Sequence, residues 1–469
     1  MGGGPIGYAS STVDTTPAGL TVQDLLVLDI EALGKVQRTQ LSTDVRLTRD
    51  LRLLSFEGVL DAPGAPFHAS GTVSGDSVLA VTIEAGGQPS TMRIRLKRPI
   101  VLSSLLPLEL AFGHRLAPGA SYSVRVLDPL SMEERDVLVR VLAESTLVVP
   151  DSAAWDSAAA RWVPVRQDTM RAWKIAEEFG GLSTESWIDR QGRIVRAVSP
   201  IGFRMERMAF ELAVENWRRA AGAQHVAAGG GGGDIIDATA ITANVQLRPE
   251  NLGVLRVTIG NTRLTGFDLS GGRQQLSGDT LTIRRETGVA AASGGPPSLP
   301  LDRLPATDTT LAADLASEPL VQANDPRIQA EARRIVGRER RAGAVAELLT
   351  HWVYANLKKE ITISVPSAVQ VLDERRGDCN EHTVLYVALA RSLGLPARTA
   401  AGLVYLRGRF YYHAWPEVWL GRWVAVDPTF DQFPADASHL RFVIGGLARQ
   451  VELLRLIGRV TVTVVGSQN

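Results

Sequence analysis

Residues 375–382 read Arg-Arg-Gly-Asp-Cys-Asn-Glu-His. They are followed at helical intervals by the apolar residues Val384, Leu385, Ala388, Leu389 and Leu393. Gly394 and Pro396 stand where such residues commonly end a helix. The pattern predicts a helix of about four turns that begins at or just after Cys379. Backbone N–H groups at a helix N-terminus favour negative charge, so we expect a lowered thiol pKa and an available thiolate at Cys379.

Three strands are predicted downstream, in residues 398–406, 410–419 and 422–427. His413 lies in the second strand, and Asp427 ends the third, directly before Pro428. The turn between the last two strands is short enough for a hairpin, in which His413 and Asp427 could lie across from each other. A carboxylate in that position accepts a hydrogen bond from an imidazole N–H and holds one tautomer of the ring.

The order Cys379, His413, Asp427 predicts nucleophilic catalysis by a thiol. His413 would take the thiol proton, and Cys379 would attack a carbonyl carbon to form a thioester. The backbone N–H of Cys379 is expected to supply one half of an oxyanion hole. Trp352 and Tyr354 are the candidates for the other donor. Trp415, two residues after His413, is a candidate wall of the acyl-binding site.

Several linked motifs resemble the bacterial transglutaminase-like superfamily. These are Ser-Ala at 367–368, Arg-Gly-Asp-Cys-Asn-Glu-His at 376–382, Leu-Pro-Ala-Arg at 395–398, His-Ala-Trp-Pro-Glu-Val-Trp at 413–419 and Trp-Val-Ala-Val-Asp-Pro-Thr at 423–429. The resemblance spans roughly residues 320–445 and implies a papain-like α+β core, with Cys379 as nucleophile, His413 as base and Asp427 as third member. That superfamily includes transamidating enzymes, peptidases, deamidases, amidases and inactive relatives, so the resemblance implies no single activity.

The upstream sequence is rich in strand patterns. Residues 43–48, 92–97 and 122–126 alternate between apolar and polar side chains, as in antiparallel sheets with one wet face. Residues 205–220 have helical spacing. We therefore predict an α+β fold with these divisions: a β-rich N-terminal domain ending in a helix (1–221), a Gly-rich linker (222–234), a small β module or a continuation of the first domain (235–290), a Pro/Gly/Ser-rich linker (291–318) and a transglutaminase-like catalytic domain (319–469).

The composition limits the partners of the protein. Lys+Arg and Asp+Glu are balanced at 50 each, so no nucleic acid partner is expected, and the predicted partner is a peptide or protein substrate. One cysteine excludes an internal disulfide, and neither a metal site nor a cofactor is predicted. No stretch reaches the roughly 20 apolar residues of a membrane helix. Residues 1–5 show no secretory signal, so the compartment is left open: extracytoplasmic if an export segment is missing, otherwise cytoplasmic.

Other interpretations are open at this stage. His382 lies on the same predicted helix face as Cys379 and could act as the base, although Asp427 can orient only His413. Cys379, His382, His413 and Asp427 also have ligand types that zinc accepts, but a nucleophile explains a cysteine at a helix start better. The remaining histidines form no cluster with metal-ligand spacing in the sequence: His68, His114, His225, His351 and His439. The alternative to an enzyme is a non-catalytic papain-like scaffold that binds a protein or cell-surface partner.

Overall fold

The computed structural model describes residues 5–32, 35–62, 66–75, 77–96, 99–113, 115–128, 133–179, 182–199, 203–219, 236, 239–287, 300–301, 310–362 and 364–469. The described residues fall into two compact units. The first lies within Met1–Ala62, His68–Ile83 and Thr91–Ile235, and the second lies within Pro63–Phe67, Glu84–Ser90 and Ile236–Asn469. Of the helices in these ranges, none has the length and apolar character that a membrane crossing requires.

Two sheets of seven strands each form the first unit. The first sheet follows chain order: β1 (Gly7–Thr16), β2 (Gly19–Ala32), β3 (Lys35–Leu47), β4 (Leu53–Asp61), β5 (Phe67–Ser74), β6 (Val78–Glu84) and β7 (Ser90–Arg95). The second does the same: β8 (Val101–Leu102), β9 (Ser121–Asp128), β10 (Glu133–Asp156), β11 (Arg161–Phe179), β12 (Leu182–Asp189), β13 (Ile194–Val198) and β14 (Arg204–Glu206). Helix α1 (Leu106–Phe112) connects β8 to β9.

Alternation of side chains explains these strands. In β6, for example, Leu79, Val81 and Ile83 are buried while the residues between them are half-buried. Neighbours in the second sheet pair antiparallel except β8, which runs parallel to β9. The predicted β-rich, antiparallel N-terminal region is therefore confirmed. The helix expected over residues 205–220 starts later, at residue 210, because residues 204–206 form β14 and pair with β13.

Helices and strands alternate in the second unit. Its helices are α2 (Pro326–Val336), α3 (Ala342–Asn356), α4 (Ala368–Glu374), α5 (Cys379–Ser392) and α6 (Leu447–Gln450). Its strands are β15 (Ile241–Thr242), β16 (Val254–Gly260), β17 (Gln274–Ser277), β18 (Thr280–Arg284), β19 (Lys358–Lys359), β20 (Arg376–Gly377), β21 (Ala397–Leu406), β22 (Arg409–Trp419), β23 (Trp423–Ala425), β24 (His439–Ile444) and β25 (Thr461–Gln468). Short 3₁₀ turns occupy Ser103–Leu105, Pro249–Asn251, Ala313–Leu315 and Val451–Arg455.

Two sheets and a central helix build the core of the second unit. One sheet has the order β15-β22-β21-β24, with β23 paired to β22, and the other has the order β17-β18-β16-β25. Helix α5 is buried from Glu381 to Arg391, and its apolar residues pack with those of α2, α3 and α4 in one hydrophobic cluster. A second cluster lies between the two sheets and joins residues of β16, β21 and β24. This arrangement leaves the N-terminus of α5 next to β22.

The described part of residues 235–290, which is residue 236 and residues 239–287, belongs to a different unit than the sequence suggests. The prediction was a small β module or a continuation of the first domain, but β16 pairs with β25, so this segment is an integral part of the second unit. The pairing joins segments far apart in the chain, which local patterns do not reveal. The predicted linker 222–234 lies outside the described residues, and of the linker 291–318 only residues 300–301 and 310–318 are described.

Candidate active site

Cys379 occupies the first position of α5, and a capping box fixes this end of the helix. The Asp378 carboxylate accepts the backbone N–H of Asn380 at 2.9 Å, and the Glu381 carboxylate accepts the backbone N–H of Asp378 at 2.8 Å. The first N–H groups of a helix have no acceptor within it, so the N–H of Cys379 can point toward a ligand. The predicted start of the helix is therefore observed, with a sequence reason for it.

Gly377 is required for this entry into the helix. Its φ is +152°, and a Cβ atom at this position would lie 2.2 Å from Cβ and Cγ of Glu381. Glu381 is held in turn by the hydroxyl groups of Thr362 and Ser364, which donate to its Oε1 at 2.7 and 2.8 Å. Its carboxylate cannot simply move aside. Glycine at 377 thus allows the capping box and the position of Cys379.

The sulfur of Cys379 faces the strand that carries His413. The Cys379 side chain is half-buried, and the backbone N–H of Ala414 in β22 is near enough to the thiol to favour its ionised form. Ala414 directly follows His413, so the start of α5 and the His413 segment are in contact.

His413 and Asp427 are bonded through their side chains. Nε2 of His413 lies 2.7 Å from Oδ2 of Asp427, and both residues are buried. The other carboxylate oxygen, Oδ1, accepts the backbone N–H groups of Thr429 at 2.7 Å and Phe430 at 3.2 Å. The predicted hairpin exists, but its ladder ends at Ala425, and Asp427 lies two residues beyond it. Because Nε2 is engaged by Asp427, Nδ1 is the nitrogen of His413 that remains for the thiol.

His439 is a member of this group that sequence analysis missed. Its Nε2 lies 2.9 Å from Oδ2 of Asp427, and its Nδ1 lies 3.3 Å from Oδ1 of Asp436. The spacing of the histidines in the sequence predicted no metal-type cluster with His439, whereas the structure groups its ring with His413 and Asp427. The cause is tertiary: β24 pairs with β21, with His439 opposite Val404, and this brings His439 to Asp427. The available signal was Asp436 three residues before His439, which says nothing of the sheet pairing.

The protonation of Cys379 differs from the expectation. Burial raises the pKa of the thiol well above its ordinary value, and the nearby carboxylate of Asp378 raises it further, against the opposing bond from Ala414. Glu381 and Asp427 act in the same direction as Asp378. The lowered pKa inferred from the helix N-terminus is thus overturned, because burial and three acidic side chains outweigh the helix end. The resting side chain is a thiol.

Asp427 is ionised within the cluster. Burial by itself would raise the pKa of Asp427, but His413 and His439 outweigh it and hold the pKa below its ordinary range. Burial likewise opposes the charged form of His439, yet Asp427 and Asp436 raise its pKa to about 9. For His382, burial lowers the pKa, and its Nδ1 bonds to the backbone oxygen of Asp378 at 2.6 Å. His382 is therefore neutral and tied to the helix cap.

His413, Asp427 and His439 are also the residues whose geometry could suit a metal ion. One donor atom of each lies within 4.8 Å of the other two. Both imidazoles, however, direct Nε2 at the same carboxylate oxygen over distances of 2.7 and 2.9 Å, which are ordinary for N–H donors. Hydrogen bonding accounts for the arrangement. The zinc set considered from the sequence, with Cys379 and His382, does not come together in the described residues.

Aromatic side chains surround His413. Trp415 stacks on it with 6.0 Å between ring centroids and meets His439 edge-on at 5.1 Å. Trp415 is 0% exposed, so it packs against the two histidines inside the protein. It therefore cannot form a wall of the acyl-binding site, which is the role that the sequence suggested. Phe430, which the sequence analysis did not single out, stacks on His413 at 5.0 Å and is 36% exposed. Of the two rings that stack on His413, Phe430 is therefore the one exposed to solvent.

Trp352 and Tyr354 lie on α3 in other surroundings. The guanidinium of Arg375 is 4.7 Å from the centroid of the Trp352 ring, and the ammonium of Lys359 is 3.8 Å from that of Tyr354. Trp352 packs against the helical core, and Tyr354 is exposed. These contacts do not involve Cys379, and the assignment of the second oxyanion donor to either residue stays a prediction.

Comparison with known proteins agrees with the sequence motifs. Residues 329–428 match the model of the transglutaminase-like superfamily, which confirms the resemblance and spans Cys379, His413 and Asp427. A search of curated proteins gave no match.

Solved structures resemble larger parts of the chain at low similarity. A candidate cysteine protease from Cytophaga hutchinsonii is 17% identical, with 49% of this chain and 84% of that chain covered and a TM-score of 0.30. A DUF1089 family protein from Pseudomonas aeruginosa is 12% identical, with 43% and 92% covered and a TM-score of 0.25. A DUF1849 domain protein from Brucella abortus is 12% identical, with 41% and 80% covered and a TM-score of 0.25.

Proposed function

We propose that the second unit is a papain-like catalytic core that performs thiol-dependent acyl transfer or amide hydrolysis on a peptide or protein substrate. Cys379 is the nucleophile, His413 the general base and Asp427 the residue that orients His413. One observation carries the proposal: the thiol of Cys379 lies near the backbone N–H of Ala414, directly beside a histidine whose Nε2 is held by a buried aspartate. This is the order of contacts that nucleophilic catalysis by a thiol requires.

The raised thiol pKa defines the role of His413. Because Cys379 is protonated at rest, the proton has to leave as the sulfur attacks the substrate carbonyl, and His413 Nδ1 is the acceptor. The sulfur–carbon bond forms as the carbonyl oxygen becomes an oxyanion, which the Cys379 N–H at the start of α5 stabilises. Collapse of this intermediate expels an amine, which takes the proton back from His413. A thioester on Cys379 remains.

The second half of the cycle restores the thiol. Water or a primary amine gives a proton to His413 and attacks the thioester, and the sulfur leaves with that proton. Water yields a carboxylic acid, whereas an amine yields a new amide. Asp427 keeps the imidazole of His413 in one orientation throughout and stabilises its charged form. Phe430 offers an apolar surface for the acyl group beside His413.

Alkylation of Cys379 by iodoacetamide tests the proposal without a known substrate. Cys379 is the single cysteine, so incorporation reports on this sulfur alone. We expect His413→Ala to slow alkylation at pH 7 about 100-fold, the typical contribution of a general base. His68→Ala is the matched control, because His68 is a partly exposed histidine of the first unit. Equal rates for His413→Ala and the native protein would refute the proposal.

Mass spectrometry of the intact protein then addresses turnover. Incubation with a peptide library should add an acyl mass to Cys379, and an added primary amine should shorten the lifetime of that adduct if transamidation occurs. Cys379→Ser should carry no thioester. If this variant retained every measurable function of the protein, the non-catalytic scaffold would be the better description.

A further inference from the structure

His439 lies between two carboxylates in the interior of the second unit. Its Nε2 is 2.9 Å from Oδ2 of Asp427 and its Nδ1 is 3.3 Å from Oδ1 of Asp436, while the side chain is 0% exposed. The ring centroid of His413 is 5.8 Å away. The catalytic histidine therefore shares its aspartate oxygen with a second, deeply buried histidine.

The partners of His439 determine its charge. Ionised carboxylates only accept hydrogen bonds, so each ring nitrogen that faces one has to carry a proton. Both nitrogens of His439 face a carboxylate, and the ring is accordingly an imidazolium. Asp436 is itself fixed as an acceptor, because its Oδ1 takes the backbone N–H of Ser438 and its Oδ2 takes the side-chain amide of Gln432, each at 2.8 Å. The raised pKa of His439 agrees with this assignment.

We infer that His439 is a positioning residue of the proposed site: its imidazolium locks Asp427 in the orientation that holds His413, and its charge offsets that of the shared carboxylate. The inference rests on the proposed function of Cys379 and His413. His439 does not touch the reacting atoms, since Asp427 stands between it and His413.

Two physical effects follow from this arrangement. First, the carboxylate of Asp427 is held at both oxygens: Oδ2 accepts hydrogen bonds from two imidazoles, and Oδ1 accepts hydrogen bonds from two backbone N–H groups. These four bonds restrict rotation of the carboxylate. Second, the positive charge of His439 offsets the negative charge of the carboxylate that it shares with His413. A single carboxylate without His439 would hold His413 less firmly.

The charged groups around His439 are on the elements that pack against it. Asp427 and Asp436 lie in the segment between β23 and β24, and His413 comes from β22. Trp415 contributes a ring without charge. A change at His439 therefore acts on the pH response of the site through these three residues.

Two substitutions separate positioning from simple packing. His439→Gln keeps an N–H donor for Asp427 without the positive charge, and His439→Leu removes both. At a pH above the acid-side inflection of each variant, iodoacetamide rates should fall about tenfold in His439→Leu, the loss of one charge-assisted hydrogen bond, and should largely recover in His439→Gln. In His439→Gln the acid-side inflection of the rate profile should move to higher pH by roughly one unit, since the positive charge beside His413 is gone.

These measurements test the positioning role of His439 separately from the proposed catalytic function of Cys379 and His413. Rate profiles of both His439 variants that superimpose on the native profile, with only thermal stability changed, would overturn the positioning role. If His413→Ala were also without effect, the proposed function would fail instead. Should His439→Leu not fold, the Gln profile and a histidine-selective NMR titration of the native protein decide: an His439 ring that is neutral at pH 7 contradicts the inference.

Discussion

Glu417→Gln should destabilise the second unit strongly, although glutamine has nearly the same shape. Glu417 is 2% exposed and lies on β22. Its Oε2 accepts Nε and Nη2 of Arg398 at 2.9 and 2.6 Å, and its Oε1 accepts Nη1 of Arg441 at 2.8 Å. The side chain of Arg441 is itself 3% exposed. The substitution leaves a buried guanidinium without its counter-charge.

The burial of Glu417 and Arg441 determines how much free energy of unfolding should be lost. Removing one partner of a buried ion pair costs about 3–5 kcal/mol. Arg441 keeps backbone oxygens of Asp268 and Gly271 as acceptors, each at 3.1 Å, so we expect the lower end of that range, about 3 kcal/mol. The control is Glu374→Gln, because Glu374 pairs with Arg376 at 3.2 Å on the surface, where such pairs contribute about 0–1 kcal/mol.

Urea unfolding with pulsed labelling of Cys379 measures the effect, since exposure of this thiol reports unfolding of the second unit. The stabilisation by Glu417 should also depend on pH. Burial opposes ionisation of Glu417, but Arg441 and Arg398 outweigh it and lower its pKa. Its contribution to stability is therefore present above the unfolded pKa of about 4.3 and is lost as the pH falls through the lower folded value. A difference between Glu417→Gln and native below about 1 kcal/mol at pH 7 would refute this account.

Three further predictions concern the site. Gly377→Ala should lower the free energy of unfolding by about 1–3 kcal/mol, because φ is +152° and the new Cβ would clash with Glu381. Thermal unfolding measures this loss, and a midpoint equal to that of the native protein would contradict the prediction. Asp427→Asn should slow acyl-enzyme formation about 10³-fold by releasing His413 from its orientation, as measured by mass spectrometry over time, and a rate within tenfold of native would count against it. Phe430→Ala should raise KM for apolar acyl donors more than it lowers kcat, with an unchanged unfolding midpoint; a loss confined to kcat would exclude Phe430 as a binding wall.

The local features of the second unit follow from its sequence. Helix α5 begins where the Asp378 cap and Gly377 require it and ends before Gly394, and β21 and β22 match the predicted strands within one residue. Caps, glycine and alternation act between near neighbours, which is why they can be interpreted without coordinates.

Features that depend on distant contacts escaped prediction. The helix N-terminus suggested a lowered pKa for Cys379, but burial and the carboxylates around it depend on the packed fold. His439 lies beside Asp427 because β24 pairs with β21. Trp415 was predicted to contact the substrate, but it is fully buried. For Cys379 and Trp415 the sequence identified the residue but not its surroundings, and His439 was missed because strand pairing determines its partners.

Strand β25 has a consequence for biosynthesis. Strand β25 pairs with β16, which is synthesised about 200 residues earlier. During most of the translation of the second unit, β16 therefore lacks this strand partner. Premature termination before Thr461 would leave an unpaired strand edge open to self-association. Fusion tags placed after this strand, and truncations near it, therefore bear on yield as much as on chemistry.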